Sequence, residues 1–259
     1  MIDLRKTSGL PVKLDEKAFK LVFKDTLPQA LPAIRTIQEM KEVLLDKSVA
    51  TPKELYFMYR GVSLLKDSPK IEKNNLRYDI TVIRGGLLGK EFMKTAGHYH
   101  PGLFPELYEV LHGEAWCLLQ KSSPEDFQII TDTILVKAKL GEKIVCLPGY
   151  GHILINPSLS KALVTANWVS NQFSSDYSLY QKAGGAAYFF EKVNAEIKIS
   201  KNNFFKQISE IRNVIPNPKI ETFGLKKGKP IYELLKNVEK LKFLNQPKEF
   251  DFRDCFREL

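Results

Sequence analysis

The chain has 259 residues, 44% hydrophobic and 27% charged, with a formal net charge of +9. A chain of this size and make-up can bury a core without disulfide staples, and no run approaches the roughly 18 uninterrupted apolar residues of a membrane span. The three cysteines, Cys117, Cys146 and Cys255, are widely separated with no CxxC motif, so a cysteine zinc site is not expected and reduced, buried thiols are. The lysines are spread along the chain, concentrated at 192–206 and 226–242, with no RNA-binding signature or zinc finger beside them. They read as a solvated basic surface, so neither nucleic acid nor a membrane is expected as a partner. No apolar segment follows Met1-Ile-Asp-Leu-Arg-Lys, and a cytoplasmic location is expected.

In chain order, residues 1–30 show little periodicity, with Pro11 and Pro28 interrupting, and read as an extended arm. Thr36-Ile-Gln-Glu39 has the form of a capping box, and Ile37, Met40, Val43 and Leu44 have helical spacing, so a helix is expected over 36–47. Leu55 to Tyr59 is aromatic and strand-like. From about residue 76 the pattern becomes short strands and turns. Arg77 to Ile83 alternates, 90–100 is a strand, and 106–111 pairs with 114–120 across His112-Gly113. Further strand material follows to Val169, with Gly141-Glu142, Pro148 to Gly151 and Asn156-Pro157 as turns. Closely spaced strands without intervening helices predict an all-β antiparallel barrel or jelly roll. Beyond the strand-like 186–190 and 197–199, a short helix is expected over 204–211. An amphipathic helix is expected over 230–241, with Leu234, Leu235, Val238 and Leu241 at helical spacing. The expected division is an arm and helix at 1–50, a catalytic barrel at 51–200, and a partly helical extension at 201–259 without a functional account.

The chemistry centres on Thr95 to Gly113. His98 and His100 stand at i and i+2, which places both on one face of a strand, and Glu106 follows a Pro/Gly connection. His152 comes from a later strand after Pro148-Gly-Tyr-Gly151. A lone histidine is usually structural, but three neutral imidazoles and one carboxylate suit Fe(II), Mn(II), Ni(II) or Zn(II), with positions open for water or substrate. Glu106 and Glu109 are three apart and face opposite sides of one strand. Glu106, nearer the histidine pair, is the preferred ligand. His112 sits in the turn and is expected to be exposed.

These residues match the cupin signature, with Gly97-His98-Tyr-His100, Glu106 and Gly113 in its first motif and Pro148 to Asn156 in its second. The expected fold is therefore a cupin, a double-stranded β-helix or jelly-roll barrel. Thr95 to Pro101, Pro105 to Gly113 with Leu118-Leu-Gln120, Arg77 to Ile83, Asp176-Tyr177 and Gly184 to Tyr188 more closely resemble the cupin-type glucose-6-phosphate isomerase family of archaea and some bacteria. The resemblance covers roughly residues 50 to 190. It implies a metal-dependent homodimer, with one divalent transition metal per subunit, that interconverts glucose 6-phosphate and fructose 6-phosphate. His98, His100, Glu106 and His152 would be the ligands. Thr81, Thr95 and the Gly97 backbone would receive the phosphate. Tyr108 and Tyr177 would line the sugar site, with Tyr59 a further candidate. Trp168 departs from the pattern, standing where some relatives carry a sugar-site tyrosine.

A proton-transfer route between C1 and C2 needs a base, for which Glu106 is the candidate; a hydride shift needs none. The competing readings are an Fe(II)-dependent cupin oxygenase, which the same four ligands could serve, and a non-enzymatic sugar-binding cupin regulator. The threonines argue against the oxygenase, and the lack of a helix-turn-helix argues against a DNA-binding regulator.

Overall fold

The computed structural model describes residues 1–24 and 26–259; Asp25, within the expected arm, lies outside the described residues. The strands that build the barrel are β1 (Ala33–Thr36), β2 (Glu54–Tyr59), β3 (Leu76–Ile83), β4 (Glu91–Lys94), β5 (Glu106–His112), β6 (Glu114–Ser122), β7 (Ile129–Lys139), β8 (Lys143–Cys146), β9 (Gly151–Asn156), β10 (Leu163–Ser170), β11 (Tyr188–Val193), β12 (Glu196–Lys201), β13 (Ile211–Pro216) and β14 (Phe256–Glu258). They form two sheets. One runs β12-β11-β4-β9-β6-β7-β13-β14, and the other runs β8-β5-β10-β3-β2-β1. Neighbours joined across sequence-distant strands, such as β5 with β10 and β6 with β9, give the jelly-roll connectivity of a cupin barrel. No helix among the described residues is long and apolar enough to cross a membrane.

Alternation in the second sheet decides what the barrel holds. Along β3, Tyr78, Ile80 and Val82 pack outward, while Arg77, Asp79, Thr81 and Ile83 take the other face. Along β5, Leu107 and Leu111 join the outer core and Tyr108 and Val110 the inner one. The chain thus has two apolar cores, one inside the barrel around Leu118, Val136 and Ile155, the other on the outside of the second sheet.

That outer face would be a bare apolar surface without the two ends of the chain. Residues 1–23 are not an extended arm. They fold into a one-turn helix (Arg5–Ser8) and a three-stranded sheet (Ile2–Asp3, Val12–Asp15, Lys20–Phe23), whose Leu10, Leu14 and Phe23 cover the second sheet. The C-terminal residues cover the rest through Phe223, Ile231, Tyr232, Phe243 and Leu244. Trp168, on β10, is fully buried between Tyr78 and Tyr232, and its indole N–H donates to the Ile231 carbonyl at 2.9 Å. The last part of the chain also continues the first sheet, with β13 pairing in parallel with β7 and β14 pairing with β13.

Five local expectations change. Residues 106–112 and 114–122 do not pair with each other across His112-Gly113: β5 pairs with β8 and β10 in the second sheet, and β6 with β7 and β9 in the first. The Thr36 capping box forms, with Thr36 N–H donating to Glu39 at 2.8 Å and Glu39 N–H to the Thr36 hydroxyl at 3.4 Å. The helix it starts is one α turn (Ile37–Met40) followed by a 3-10 turn (Lys41–Val43), because Met40, Val43 and Leu44 are drawn into the barrel core. The 204–211 segment is not helical. Gln207–Ile208 pairs in parallel with Ile129 and Ile130, where the edge of β7 offers free backbone partners. Residues 231–244 wind as 3-10 turns broken at Asn237, because burying Ile231, Tyr232 and Leu235 together with Leu241, Phe243 and Leu244 requires two separate turns. The 90–100 strand ends at Lys94. Gly97, at φ +81°, takes the backbone out of the ladder, and His98 rejoins it as a single bridge to His152.

Candidate active site

Four donors converge at one end of the barrel. His98 and His100 leave the loop after β4, Glu106 begins β5, and His152 lies on β9. The paired bonds His98 N–H to His152 carbonyl (3.3 Å) and His152 N–H to His98 carbonyl (3.0 Å) lock the two segments side by side. One ligand atom from each residue lies within 4.8 Å of all the others. Nε2 of His98 and His100 are 3.0 Å apart, and Glu106 Oε2 is 3.1 Å from His152 Nε2, 3.4 Å from His100 Nε2 and 3.9 Å from His98 Nε2.

The electrostatics favour a cation at this point. Burial drives the His98 pKa well below its ordinary value, helped by His152, although Glu106 opposes the shift. Burial also lowers His152. Burial pushes the Glu106 carboxyl up, but the adjacent His100 and His152 imidazoles outweigh it and hold the group well below the usual carboxylate range. The result is an ionised carboxylate beside two imidazoles, His98 and His152, held neutral by burial. Glu106 Oε2 is buried without a hydrogen-bond partner, a costly condition that a metal ion would relieve. His100 Nδ1 faces the Phe104 carbonyl at 2.9 Å; donation from Nδ1 leaves the Nε2 lone pair pointing into the cluster. The donor set fits a divalent transition metal.

The cluster opens on a cavity of about 220 Å³ lined by His98, His100, Glu106, Thr81, Tyr108 and Tyr177 among others. Tyr108 reaches His152 Nε2 at 3.4 Å, and burial raises its phenol well above the ordinary value, so it remains a neutral donor. Tyr177 lies against His98, ring centroids 5.3 Å apart, with the Arg35 guanidinium 5.4 Å from its ring on another side. Thr95 and Gly97 are not on the cavity wall. The Thr95 hydroxyl accepts the Leu154 N–H at 3.0 Å, and Gly97 is wedged so tightly that a Cβ would meet Ile153 and the Tyr180 ring at 2.5 Å. Glu109 faces the outer core. His112, half-buried rather than exposed, lies at the far end of β5, 3.1 Å from Glu16. Tyr59 is also outward, accepting the Leu21 N–H at 2.9 Å. In place of Trp168, which faces outward, its neighbours Asn167 and Val169 line the cavity.

The wall also holds residues that were not among the expected site residues: Arg60, Arg77, Asp79, Ser170, Phe173 and Ser174. Arg77 and Asp79 share the inward parity of Thr81, a signal present in the alternation of β3. Phe173 packs on His100 with ring centroids 4.4 Å apart and comes from an irregular loop that no periodicity marks.

Fold and cluster together define a cupin whose three histidines and one glutamate gather beside a cavity at one end of the barrel. The glucose-6-phosphate isomerase (GPI) family matches residues 34–206, two thirds of the chain, and the chain belongs to that family of enzymes. It is similar to the glucose-6-phosphate isomerase of Pyrococcus abyssi (strain GE5 / Orsay), 24% identical over 184 residues, which are 70% of this chain and 91% of the relative. The Pyrococcus furiosus enzyme of the same name is 24% identical over 182 residues, 69% and 90% of the two chains. Among solved structures, an oxalate oxidase aligns at a TM-score of 0.37 and 15% identity over 48% of this chain and 55% of that one. A single-substitution variant of the oxalate decarboxylase of B. subtilis aligns at 0.33 and 12% over 59% and 33%. This chain therefore spans about half and one third of those two chains.

Proposed function

We propose that the chain interconverts glucose 6-phosphate and fructose 6-phosphate in a reaction that depends on one divalent transition metal, held by His98, His100, Glu106 and His152. The observation that carries the reading is the convergence of these four donors, with the orphaned Glu106 oxygen among them, inside the stretch that the isomerase family matches. When bound, such an ion supplies Lewis-acid polarisation of the sugar oxygens. The chain's own residues bind and orient the substrate. Tyr108, a neutral phenol, can donate to a sugar oxygen beside His152, and Thr81 and Asn167 offer hydroxyl and amide groups further along the floor. Tyr177 and Phe173 pack against His98 and His100 on the cavity wall and can contact the sugar there.

Glu106 is the carboxylate that faces the cluster, and it is the candidate base for moving a proton between C1 and C2. The pinning that keeps it ionised also weakens it as an acceptor. Exchange of the migrating hydrogen with solvent measures that role: with 2-deuterated glucose 6-phosphate, washout of the label is expected if Glu106 carries the proton, and full retention would leave it the ligand role alone. For the activity itself, chelated protein and protein reloaded with a single metal are incubated with fructose 6-phosphate while glucose 6-phosphate is followed. Metal-restored turnover is expected; its absence with Fe, Mn, Ni and Zn alike would overturn the proposal.

A further inference from the structure

One side of the cavity wall has no strand ladder under it. β10 and β3 stay paired as far as Ser170 and Leu76 and part there. From that point to Tyr177 the chain runs as an irregular loop, and Ser170, Phe173, Ser174, Ser175 and Tyr177 all line the cavity. The loop is tied near its two ends. Asn171 N–H donates to the Asn75 carbonyl at 2.8 Å, and Tyr99 and Asp176 exchange paired backbone bonds of 2.9 Å. Between these ties, residues 172–175 make no backbone–backbone hydrogen bond among the described residues. The place of Phe173, stacked on Phe104 at 5.0 Å and packed on His100, therefore depends on side chains.

A side chain that holds this stretch comes from the far end of the chain. Gln172 Nε2 donates to Asn245 Oδ1 at 2.8 Å, against 3.5 Å to Ser170 Oγ. Asn245 Nδ2 in turn donates to the Asn74 carbonyl at 2.8 Å. One amide therefore bridges the residues beyond both strand ends, Asn74 before β3 and Gln172 after β10. Its mount is rigid. Leu241, Phe243 and Leu244 are fully buried in the outer core, and the Asn245 N–H closes the last turn on the Lys242 carbonyl at 3.0 Å. An amide suits the bridge because it donates and accepts at once, which neither a carboxylate nor an ammonium does. Residue 245 lies outside 34–206, the part of the chain that the isomerase family matches.

We propose that Asn245 is a positioning residue for substrate binding: through Gln172 it holds the 171–177 loop, and with it Phe173 and Tyr177, in place on the cavity wall. The C-terminal extension then serves the site as well as covering the second sheet. The inference rests on the isomerase reading for what the cavity binds, while the tether itself stands on the geometry of Asn74, Gln172 and Asn245. A loop that spends part of its time away from the wall binds substrate more weakly in proportion to that time. Loss of the tether therefore raises KM. The loop supplies neither a donor of the four-residue cluster nor the candidate base, so kcat should hold.

The test is a double-mutant cycle of Gln172→Ala and Asn245→Ala in the full chain, loaded with metal. Gln172 is exposed and Asn245 half-buried, so the variants are expected to fold, and circular dichroism checks it. Each single variant should raise KM for fructose 6-phosphate by roughly 3- to 10-fold, the loss of one hydrogen bond, with kcat held. The double variant should be no worse than the worse single one, because both remove the same bond. A general loss of stability would not move KM in protein that stays folded. KM within twofold of wild type in both single variants, or effects that multiply in the double, would overturn the inference while the isomerase reading stands. If the wild type does not turn over, that reading falls, and amide exchange in the full chain decides the inference by itself. Faster exchange in the variants at the Asn171 and Asp176 N–H groups, with the barrel strands unchanged, supports it. Exchange there equal to wild type, or faster by the same factor throughout the chain, overturns it.

Discussion

Two buried carboxylates three residues apart on β5 have opposite lives. Glu106 enters the barrel among three imidazoles, with Oε2 unsatisfied and its acidity enhanced. Glu109 leaves by the other face, 1% exposed, where it binds Lys143 Nζ at 2.9 Å and accepts the Ile231 N–H at 2.7 Å. There burial pushes its pKa up to about 7, with Lys143 and the Ile231 amide pulling it back. Burial is similar for both, so burial alone does not make a site. Glu109 is satisfied within the protein and fastens the C-terminal extension to the barrel; Glu106 has its hydrogen-bonding capacity left over for something the chain does not supply.

The contrast can be broken by exchanging what each carboxylate can do. Glu106→Gln is expected to lower isomerase activity by about 10²- to 10⁴-fold and to lose metal on elemental analysis, with little change in the urea midpoint. Glu109→Gln should keep the metal; if it loses more metal than Glu106→Gln, the assignment of the two residues is reversed.

Next in size is the structural partner. Lys143→Met strands Glu109 and is expected to destabilise the fold by about 3–5 kcal/mol in urea titrations near neutral pH. The pH dependence sharpens this. The folded pKa of Glu109 lies above its ordinary 4.5, so its contribution is fully present below that value and is lost as pH rises through about 7. Removing Lys143 raises that pKa further, since a protonated Glu109 needs no cation. The penalty of Lys143→Met should therefore be smaller at pH 5 than at pH 8, and a penalty that is larger at pH 5 would contradict the assigned burial effect.

The smallest change expected is at Trp168, on the outer side with Glu109. Trp168→Phe removes the bond to the Ile231 carbonyl and part of the stack on Tyr232, and should cost about 1–3 kcal/mol. Metal content and KM should hold. A raised KM without a stability change would place Trp168 in substrate binding after all.

Much of the site was legible because strand alternation is local. The His98–His100 spacing, the opposed faces of Glu106 and Glu109, and the return of a histidine after the Pro-Gly-Tyr-Gly turn can all be read from neighbours in the chain. The structure puts those four donors together even though the strand expected through 90–100 stops at Lys94. The Thr36 capping box was equally readable, but not the length of its helix, since the pull of Met40 and Val43 into the barrel is a tertiary effect. The 204–211 segment was misread for the same reason: its backbone partners, Ile129 and Ile130, lie far upstream in the chain.

The sequence by itself determined the all-β barrel, the metal-ligand pattern and the family, because each rests on residue types at short spacings that backbone geometry converts directly into shared faces. Tertiary structure alone decided which strands lie side by side. Through that it decided that Arg60, Arg77 and Asp79 share a wall with the histidines and that Trp168 serves the outer core. It also decided what the chain ends do: both cover the outside of the second sheet, whose alternation buries one face in the barrel and leaves the other apolar. The physical reason is that periodicity says which side a residue faces, while only the pairing of distant strands says what stands there with it.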